Sequence, residues 1–306
     1  MGLLPEDKVI ITVATTGGVA KTRDRNANVP EQPDEIAQAA YECWKEGACI
    51  IHIHARDTNG IPTGDPNVYS EIHRRIRELG CDIIIQDTTG TGPQAAVDDR
   101  IKCLQANPKP DMASLDMGTM VRNSGPYKGT YTIRYGETLE DWAVKMKEAG
   151  VKAAMEVFNP GNLREVRNLI AKGLVEKPYY VEFVLGHGYH GGWDATPKHL
   201  MWLIEDLPEP QDTIWSVLSI GKAQFSITSM GMILGGAVRV GFEDSLFYRK
   251  GQLAESNAQV VARTARFARE LGKDPMTPGE ARLLLGLSLF RVEAAALTAK
   301  KEEGKS

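Results

Sequence analysis

The chain has 306 residues, 42% of them hydrophobic and 25% charged, which is enough to bury a sizeable core. A net charge of −4 gives no basic surface for nucleic acid or anionic membranes and argues against both partners. The sequence has no signal-peptide pattern, no apolar run near the roughly 18 residues of a membrane span and no CxxC pair, so it predicts a reduced, cytoplasmic protein.

The first half of the chain alternates short β-rich runs with amphipathic helical runs. The predicted strands are 8–15, 49–54, 82–87 and 111–117, and the predicted helices between them are 32–47, 66–80 and 95–106. A proline in the first turn and a glycine at the end mark the limits of the first two helices. One helix therefore separates each strand from the next.

The second half repeats this alternation. Its predicted helices are 138–150, 162–173, 196–207 and 222–236, and they precede the predicted strands 151–158, 179–186, 213–220 and 237–242. Such alternation favours a parallel sheet, because parallel strands need helical crossovers, and eight units in about 240 residues fit a (β/α)8 TIM barrel. A doubly wound open sheet is the alternative, but "TTGGVAKT" after the first strand does not fit GxGxxG.

We therefore predict an α/β protein with a single TIM-barrel domain over residues 1–306. The segment 255–306 is predicted to be a C-terminal extension of extra helices that caps the barrel or contacts another subunit. The amphipathic pattern of this segment suits either packing.

Two of the six histidines lie in the second predicted strand, in "IIHIHARD". His52 and His54 are two residues apart, so their side chains project from the same face of the strand. They lie at its carboxyl end, where TIM barrels place their active sites. The pair either binds one metal ion or consists of two hydrogen-bonded core histidines.

A third ligand is available at the end of the eighth strand, in "RVGFED". In a closed barrel the eighth strand lies next to the first, and the first next to the second. Glu243 or Asp244 can therefore meet His52 and His54 across the barrel mouth, and two histidines with one carboxylate form a catalytic Zn2+ pattern. The alternative is that the two acids form a solvated turn.

Other polar side chains fall at the same strand ends. They are Thr88 and Thr89 after strand three, Ser114 and Asp116 on strand four, Glu156 on strand five and Arg239 on strand eight. The hydroxyl groups bind substrate or form turn and barrel-interior hydrogen bonds. After strand six, His187 and His190 either line the pocket or bind metal, or belong to a glycine-rich lid; His73 and His199 lie in helices and are interpreted as structural.

Longer motifs resemble the β-keto acid cleavage enzyme family over about residues 8–290. These motifs are "IIHIHARDTNGIPTGD", "IIIQDTTG", "PDMASLDMGT" and "VRVGFEDSLFYRKGQLAESNAQVVAR". The resemblance implies that His52, His54 and Glu243 are zinc ligands. It implies that Asp244 removes the C2 proton of a β-keto acid, with Arg239 near that base.

The same resemblance implies that Glu156 supports these groups and that Thr88 and Ser114 hold the substrate carboxylate. Thr89 and Asp116, at the same strand ends, are further candidates for substrate binding. The implied reaction condenses a β-keto acid with acetyl-CoA and ends in a retro-Claisen step. The expected products are acetoacetate and the CoA ester of the substrate remainder. Zn2+ is the expected cofactor, acetyl-CoA the expected co-substrate, and the family implies a homo-oligomer, with a tetramer favoured.

One position departs from the pattern of family members that act on 3-keto-5-aminohexanoate. Those enzymes carry a glutamate just after strand one, where this chain has "TTGGVAK" with Val19 near that place. A substrate amine would lose its partner there, so we expect a neutral, apolar or anionic remainder. Lys21 and Arg23 could favour an anionic tail, and Asp87 is an alternative partner for a cation.

Two other functions remain open from the residues alone. A zinc hydrolase of the amidohydrolase type is also a barrel with HxH, but it needs that motif on the first strand and further metal histidines later. Only His187 and His190 are available for that role. A non-catalytic barrel that binds a metabolite is the second alternative.

Overall fold

A computed structural model of the chain describes residues 3–92, 95–123, 128–132 and 134–288. Eight parallel strands close into a barrel in which each strand pairs with its neighbours in sequence and the eighth pairs with the first. The strands are β1 (Ile11–Ala14), β2 (Ile50–Ile53), β3 (Ile84–Asp87), β4 (Met112–Asp116), β5 (Lys152–Val157), β6 (Tyr179–Leu185), β7 (Thr213–Ser219) and β8 (Ala237–Val240). The predicted TIM barrel is confirmed.

A helix follows each strand and packs outside the barrel. The helices that the structure describes are α1 (Pro33–Lys45), α2 (Pro66–Glu78), α3 (Val97–Arg100), α4 (Gly136–Ala149), α5 (Pro160–Ala171), α6 (Pro197–Glu205), α7 (Gln224–Ile233), α8 (Asn257–Glu270) and α9 (Pro278–Leu285). Where one helix was predicted over 95–106, a single α turn is followed by the 3₁₀ turn Ile101–Gln105.

The proposed C-terminal extension divides into two parts with different roles. Helix α8 packs against α7 and α1, so it is the eighth helix of the barrel itself. Helix α9 adds to the barrel, because Ala281 and Leu285 join the apolar cluster at the amino ends of the strands. The remainder of the predicted extension, 289–306, lies outside the described residues.

The strands are apolar because both of their faces are buried. Residues of the barrel interior such as Ile50, Ile84 and Tyr180 are fully buried in one cluster, and the outward-facing residues pack beneath the helices in another. This packing holds the strand ends, so side chains on these ends and on the turns that follow them start from fixed points. No helix of the described residues is long and apolar enough to cross a membrane.

Candidate metal and active site

His52 and His54 project side by side at the carboxyl end of β2. Their side chains are buried, and the ring centroids lie 5.2 Å apart in an edge-to-face arrangement. His52 is the third residue of β2 and His54 follows directly after the strand. The strand period therefore places both imidazoles on the inner face, as the HxH spacing predicts.

Glu243 reaches these histidines from the turn after β8. Its Oε1 lies 3.3 Å from His54 Nε2, and its Oε2 lies 3.6 Å from His52 Nε2. One ligand atom from each of the three residues falls within 4.8 Å of the others, which suits a single ion. Among the described residues, no other group of three or more His, Cys, Asp and Glu side chains has this geometry.

Several potential ligand atoms of this group have no hydrogen-bond partner within the described part of the protein. Both ring nitrogens of His52, Nδ1 of His54 and Oε2 of Glu243 are buried without a hydrogen-bond partner among the described residues. Burial and the charge of Arg239 hold the pKa of His52 well below its usual value, so the imidazole is neutral. Burial opposes ionisation of Glu243, but Arg239 and the two histidines lower its pKa well below the usual value. Neutral imidazole and ionised carboxylate are the forms that ligate metals, so these residues fit a divalent cation.

Glycine is required at position 17, next to the side chain of Glu243. Gly17 has a φ of +85°, and an added Cβ would lie 2.9 Å from Glu243 Cγ. Both the backbone conformation and the close approach exclude a larger residue. The loop after β1 therefore fixes the position of a side chain that follows β8.

Arg239, on β8, connects the acidic side chains of the site. Its Nη2 lies 2.6 Å from Glu243 Oε1, and its Nη1 lies 3.2 Å from Glu156 Oε1. The same guanidinium binds both oxygens of Asp244, at 3.1 and 3.3 Å. One buried cation thus orients three carboxyl groups at the barrel mouth.

The carboxyl groups differ in their affinity for protons. Burial and the charge of Glu243 outweigh the opposing effect of Arg239 and raise the pKa of Asp244 to about 7. Burial and the neighbouring charge of Asp116 raise the pKa of Glu156 well above its usual value. A carboxyl group with a pKa near 7 can accept and return a proton at neutral pH.

Asp116 is the fourth acid of the site, and its partner is a residue that the sequence analysis missed. Arg134 Nη2 lies 2.8 Å from Asp116 Oδ2, and its guanidinium carbon lies 4.6 Å from the centroid of the Trp142 ring. Burial opposes ionisation of Asp116, but Arg134 lowers its pKa. No local pattern marks Arg134, because it comes from the segment before α4 and reaches the mouth only through the fold.

The four residues expected to bind substrate fall into two groups. Thr88 and Asp116 line a cavity of about 360 Å³ at the carboxyl ends of the strands, which we call the mouth cavity. Ser114 and Thr89 are fully buried and do not line it: Thr89 N donates to Ser114 Oγ at 3.1 Å, and Thr89 Oγ1 donates to the Ser114 carbonyl at 2.8 Å. Thr88 Oγ1 accepts from Gly90 N at 2.8 Å, which leaves its own proton to donate.

The residues proposed to select the substrate tail occupy different places. Val19 lines the mouth cavity and is 44% exposed. Lys21 is exposed and does not line it, and Arg23 binds the Val29 carbonyl and Glu35 instead. Asp87 is fully buried with its Oδ1 2.9 Å from His73 Nε2, so it does not face a bound cation.

The remaining histidines do not join the metal group. His187 lines the mouth cavity, stacks on Tyr189 with ring centroids 3.8 Å apart, and has a pKa lowered to about 4 by burial. His190 is exposed. His73 binds Asp87 and the Pro108 carbonyl, and His199 Nδ1 contacts the Asp194 carbonyl oxygen, so both have structural partners. The further metal histidines that an amidohydrolase needs are therefore not supplied by the described residues.

A comparison with protein families identifies the chain. The model of the β-keto acid cleavage enzyme family matches residues 8–287. The chain belongs to the β-keto acid cleavage enzyme family. The resemblance expected from the sequence motifs is confirmed, and this β-keto acid cleavage enzyme is a carbon–carbon-cleaving acyltransferase.

Two relatives are similar to this β-keto acid cleavage enzyme over nearly their whole length. The 3-keto-5-aminohexanoate cleavage enzyme of Fusobacterium nucleatum is 36% identical over 281 residues, covering 92% of this chain and 98% of its own. The 3,5-dioxohexanoate:acetyl-CoA acetone transferase of Paraburkholderia graminis is 35% identical over 306 residues, covering 92% of this chain and 96% of its own.

A solved structure supports the fold of this β-keto acid cleavage enzyme. The apo structure of ObcA superposes with a TM-score of 0.70 at 17% identity, covering 86% of this chain and 66% of that chain. At this level of identity the likeness shows the fold alone.

Proposed function

We propose that the protein cleaves a β-keto acid in a zinc- and acetyl-CoA-dependent reaction, releasing acetoacetate and the CoA ester of the substrate remainder. One observation supports this proposal above the others. The three potential metal ligands His52, His54 and Glu243 lie in the same cavity as Asp244, whose orientation is fixed by Arg239.

Zinc suits this donor set. Two neutral imidazoles and one carboxylate with open coordination positions are typical of catalytic Zn2+, and Glu243 Oε2 is the oxygen left without a hydrogen bond. Bound Zn2+ supplies a Lewis acid that polarises the keto group and makes the C2 proton more acidic. His52 and His54 would bind the ion from the end of a single strand.

Asp244 is the base that takes the C2 proton. Arg239 holds both of its oxygens, so the carboxylate cannot rotate away from the substrate. Glu156, also bound to Arg239, keeps the guanidinium in place from β5. The C2 carbon of the enolate formed in this step attacks the acetyl carbonyl of acetyl-CoA and displaces the CoA thiolate. The thiolate then adds to the original keto carbon, and cleavage of the bond between that carbon and C2 releases acetoacetate and the acyl-CoA.

Thr88 is the residue that we propose to bind the substrate carboxylate. Its hydroxyl faces the mouth cavity and has a proton to donate. Ser114 and Thr89 hold the end of β3 against β4 through their mutual hydrogen bonds, so they position Thr88 from behind. Asp116 lines the cavity as the partner of Arg134.

The substrate remainder is not an amine in this proposal. Val19 offers apolar surface at the cavity, and the other candidate partner of a cation, Asp87, is buried against His73. An ammonium group would lie unpaired against Val19, which is costly. If 3-keto-5-aminohexanoate gave the highest kcat/KM in a panel of β-keto acids, this part of the proposal would be wrong.

The experiment that tests the reaction is mass spectrometry of the products. Protein stripped with a chelator and protein reloaded with Zn2+ are each incubated with a panel of β-keto acids and with [13C]acetyl-CoA. We expect labelled acetoacetate and a new acyl-CoA only from the zinc-loaded protein. Equal turnover without metal, or hydrolysis of the keto acid without acetyl-CoA, would contradict the proposal.

The homotetramer and the cytoplasmic location stay predictions. Sedimentation-velocity ultracentrifugation of the zinc-loaded protein measures the first directly. A species of 33.6 kDa would contradict the predicted assembly, since that is the mass of one chain.

A further inference from the structure

The mouth cavity is lined by carboxyl groups and by arginines. Its carboxyl groups each have an arginine partner: Asp116 is bound by Arg134, and Glu156, Glu243 and Asp244 are bound by Arg239. The cavity is also lined by Arg100, Arg122 and the exposed Arg25, and none of the three has a carboxylate within 4 Å among the residues that the structure describes. Five guanidinium groups therefore accompany four carboxyl groups, a surplus of one positive charge.

Arg100 is the buried part of this surplus. It is the last residue of α3 and is 3% exposed. Its Nη2 donates to the Gly92 carbonyl at 2.6 Å, whereas its Nε has no hydrogen-bond partner in the described part of the chain. Burial and the charge of Arg134 lower its pKa to about 10, so the guanidinium stays charged at neutral pH. The carboxylate that acts on Arg100, Asp116, is already bound by Arg134. A buried charge without a counter-charge of its own is unfavourable, and a bound anion reduces that penalty.

Arg122 forms the second part, from the segment between β4 and α4. It is half-buried, its Nη2 donates to Thr132 Oγ1 at 3.1 Å, and its guanidinium carbon lies 5.6 Å from the centroid of the Tyr189 ring. Thr132 and Tyr189 both line the mouth cavity. These contacts hold the guanidinium at the cavity wall and leave donor groups for a ligand.

We propose that Arg100 and Arg122 form an anion-binding subsite for a second negative group of the substrates. This inference rests on the proposed function, in which Thr88 holds the first carboxylate of the keto acid. The second group is either a carboxylate at the far end of the keto acid or a phosphate of CoA. Guanidinium groups bind both in the same bidentate geometry. In the first case the substrate class is a β-keto dicarboxylic acid.

The test compares two keto acids of the same length. One is a six-carbon β-keto diacid, and the other is its amide at the distal carboxyl group. For Arg122→Gln and Arg100→Gln in the zinc-loaded protein, we expect the KM for the diacid to rise about 10- to 100-fold relative to the KM for the amide. Arg164→Gln, which alters an exposed residue of α5, is the matched control and should not change the ratio.

A second arm separates the two sources of the anion. The KM for acetyl-CoA is compared with that for S-acetylpantetheine, which has no nucleotide phosphates. A KM that rises in the two variants for acetyl-CoA alone would assign the subsite to a CoA phosphate. A KM that rises for the diacid alone would assign the subsite to the substrate remainder. If neither ratio moves in either variant, the inference is overturned.

A binding measurement without turnover tests the subsite independently of the proposed reaction. Isothermal titration calorimetry of the zinc-loaded protein compares adipate with hexanoate, and the subsite predicts tighter binding of adipate that Arg122→Gln abolishes. Equal affinity for the two acids and for CoA and pantetheine would overturn the inference even if no keto acid were cleaved. If Arg100→Gln does not fold, Arg122→Gln decides the outcome.

Discussion

Arg239 binds both oxygens of Asp244, with its Nε 3.3 Å from Oδ2 and its Nη2 3.1 Å from Oδ1. The same Nη2 lies 2.6 Å from Oε1 of the adjacent Glu243. The arginine thus orients the proposed base and one proposed metal ligand together. This contact explains how two consecutive acids can have different tasks: Glu243 faces the histidines, and Asp244 is held toward the cavity.

The first prediction concerns the proposed base. Asp244→Asn keeps the shape and one of the two acceptors for Arg239, but it removes the ability to accept a proton. We expect zinc content to stay near that of the wild type and kcat to fall about 10²- to 10⁴-fold. Steady-state kinetics and metal analysis of the same preparation measure both quantities. Retained turnover would move the role of base to another residue.

The second prediction concerns the metal ligands. In Glu243→Gln and His54→Ala we expect zinc and activity to be lost together, because each variant leaves two protein ligands. His199→Gln is the matched control: His199 lies in α6, does not line the mouth cavity and is outside the candidate metal group, so this variant should keep its zinc. Inductively coupled plasma mass spectrometry after gel filtration measures the metal. Full zinc content in Glu243→Gln would exclude this carboxylate as a ligand.

The third prediction concerns Gly17. A Cβ at this residue would lie 2.9 Å from Glu243 Cγ, so Gly17→Ala should push the glutamate out of position and weaken zinc binding about 10- to 100-fold. Gly80→Ala is the control, because Gly80 also has a positive φ, +70°, but has no atom within 4 Å of an added Cβ. Both variants should lose about 1–3 kcal/mol of unfolding free energy through the backbone. Equal zinc affinity in the two would show that the contact with Glu243 has no effect.

The fourth prediction concerns the far end of the barrel. Arg282 of α9 binds both oxygens of Asp111, at 2.7 and 2.9 Å, and all four atoms are buried. Asp111→Asn leaves a buried guanidinium without its counter-charge, and we expect a loss of about 3–5 kcal/mol of unfolding free energy. Asp206→Asn, in an exposed pair with Arg167, should lose at most about 1 kcal/mol. Urea unfolding at pH 7 measures both.

The contribution of Asp111 should also depend on pH. Burial alone would raise the pKa of Asp111, but Arg282 and Arg77 outweigh burial and lower it below the value of 3.8. A lowered folded-state pKa contributes stability above the unfolded-state pKa, and that contribution is lost as the pH falls through the folded-state pKa. The difference in unfolding free energy between the wild type and Asp111→Asn should therefore shrink below about pH 4. A difference that stays constant down to pH 3 would contradict the pairing.

The sequence by itself determined the barrel and the core of the candidate metal site. Strand and helix alternation is a local signal, and eight such units fit a closed parallel barrel. The spacing of His52 and His54 places both on one face at any strand end. The position of Glu243 follows from barrel closure, since β8 lies next to β1 and β1 next to β2.

Only the tertiary structure decided which polar groups pair with one another. Arg134 reaches Asp116 from a segment with no repeating pattern, and Arg100 and Arg122 line the same cavity from the end of α3 and from the segment after β4. The structure likewise turned Ser114 away from the cavity and left Thr88 facing it. Loop conformations depend on contacts between segments that are distant in sequence, and side-chain pairing in a buried site depends on desolvation. Neither can therefore be predicted from the spacing of residues along the chain.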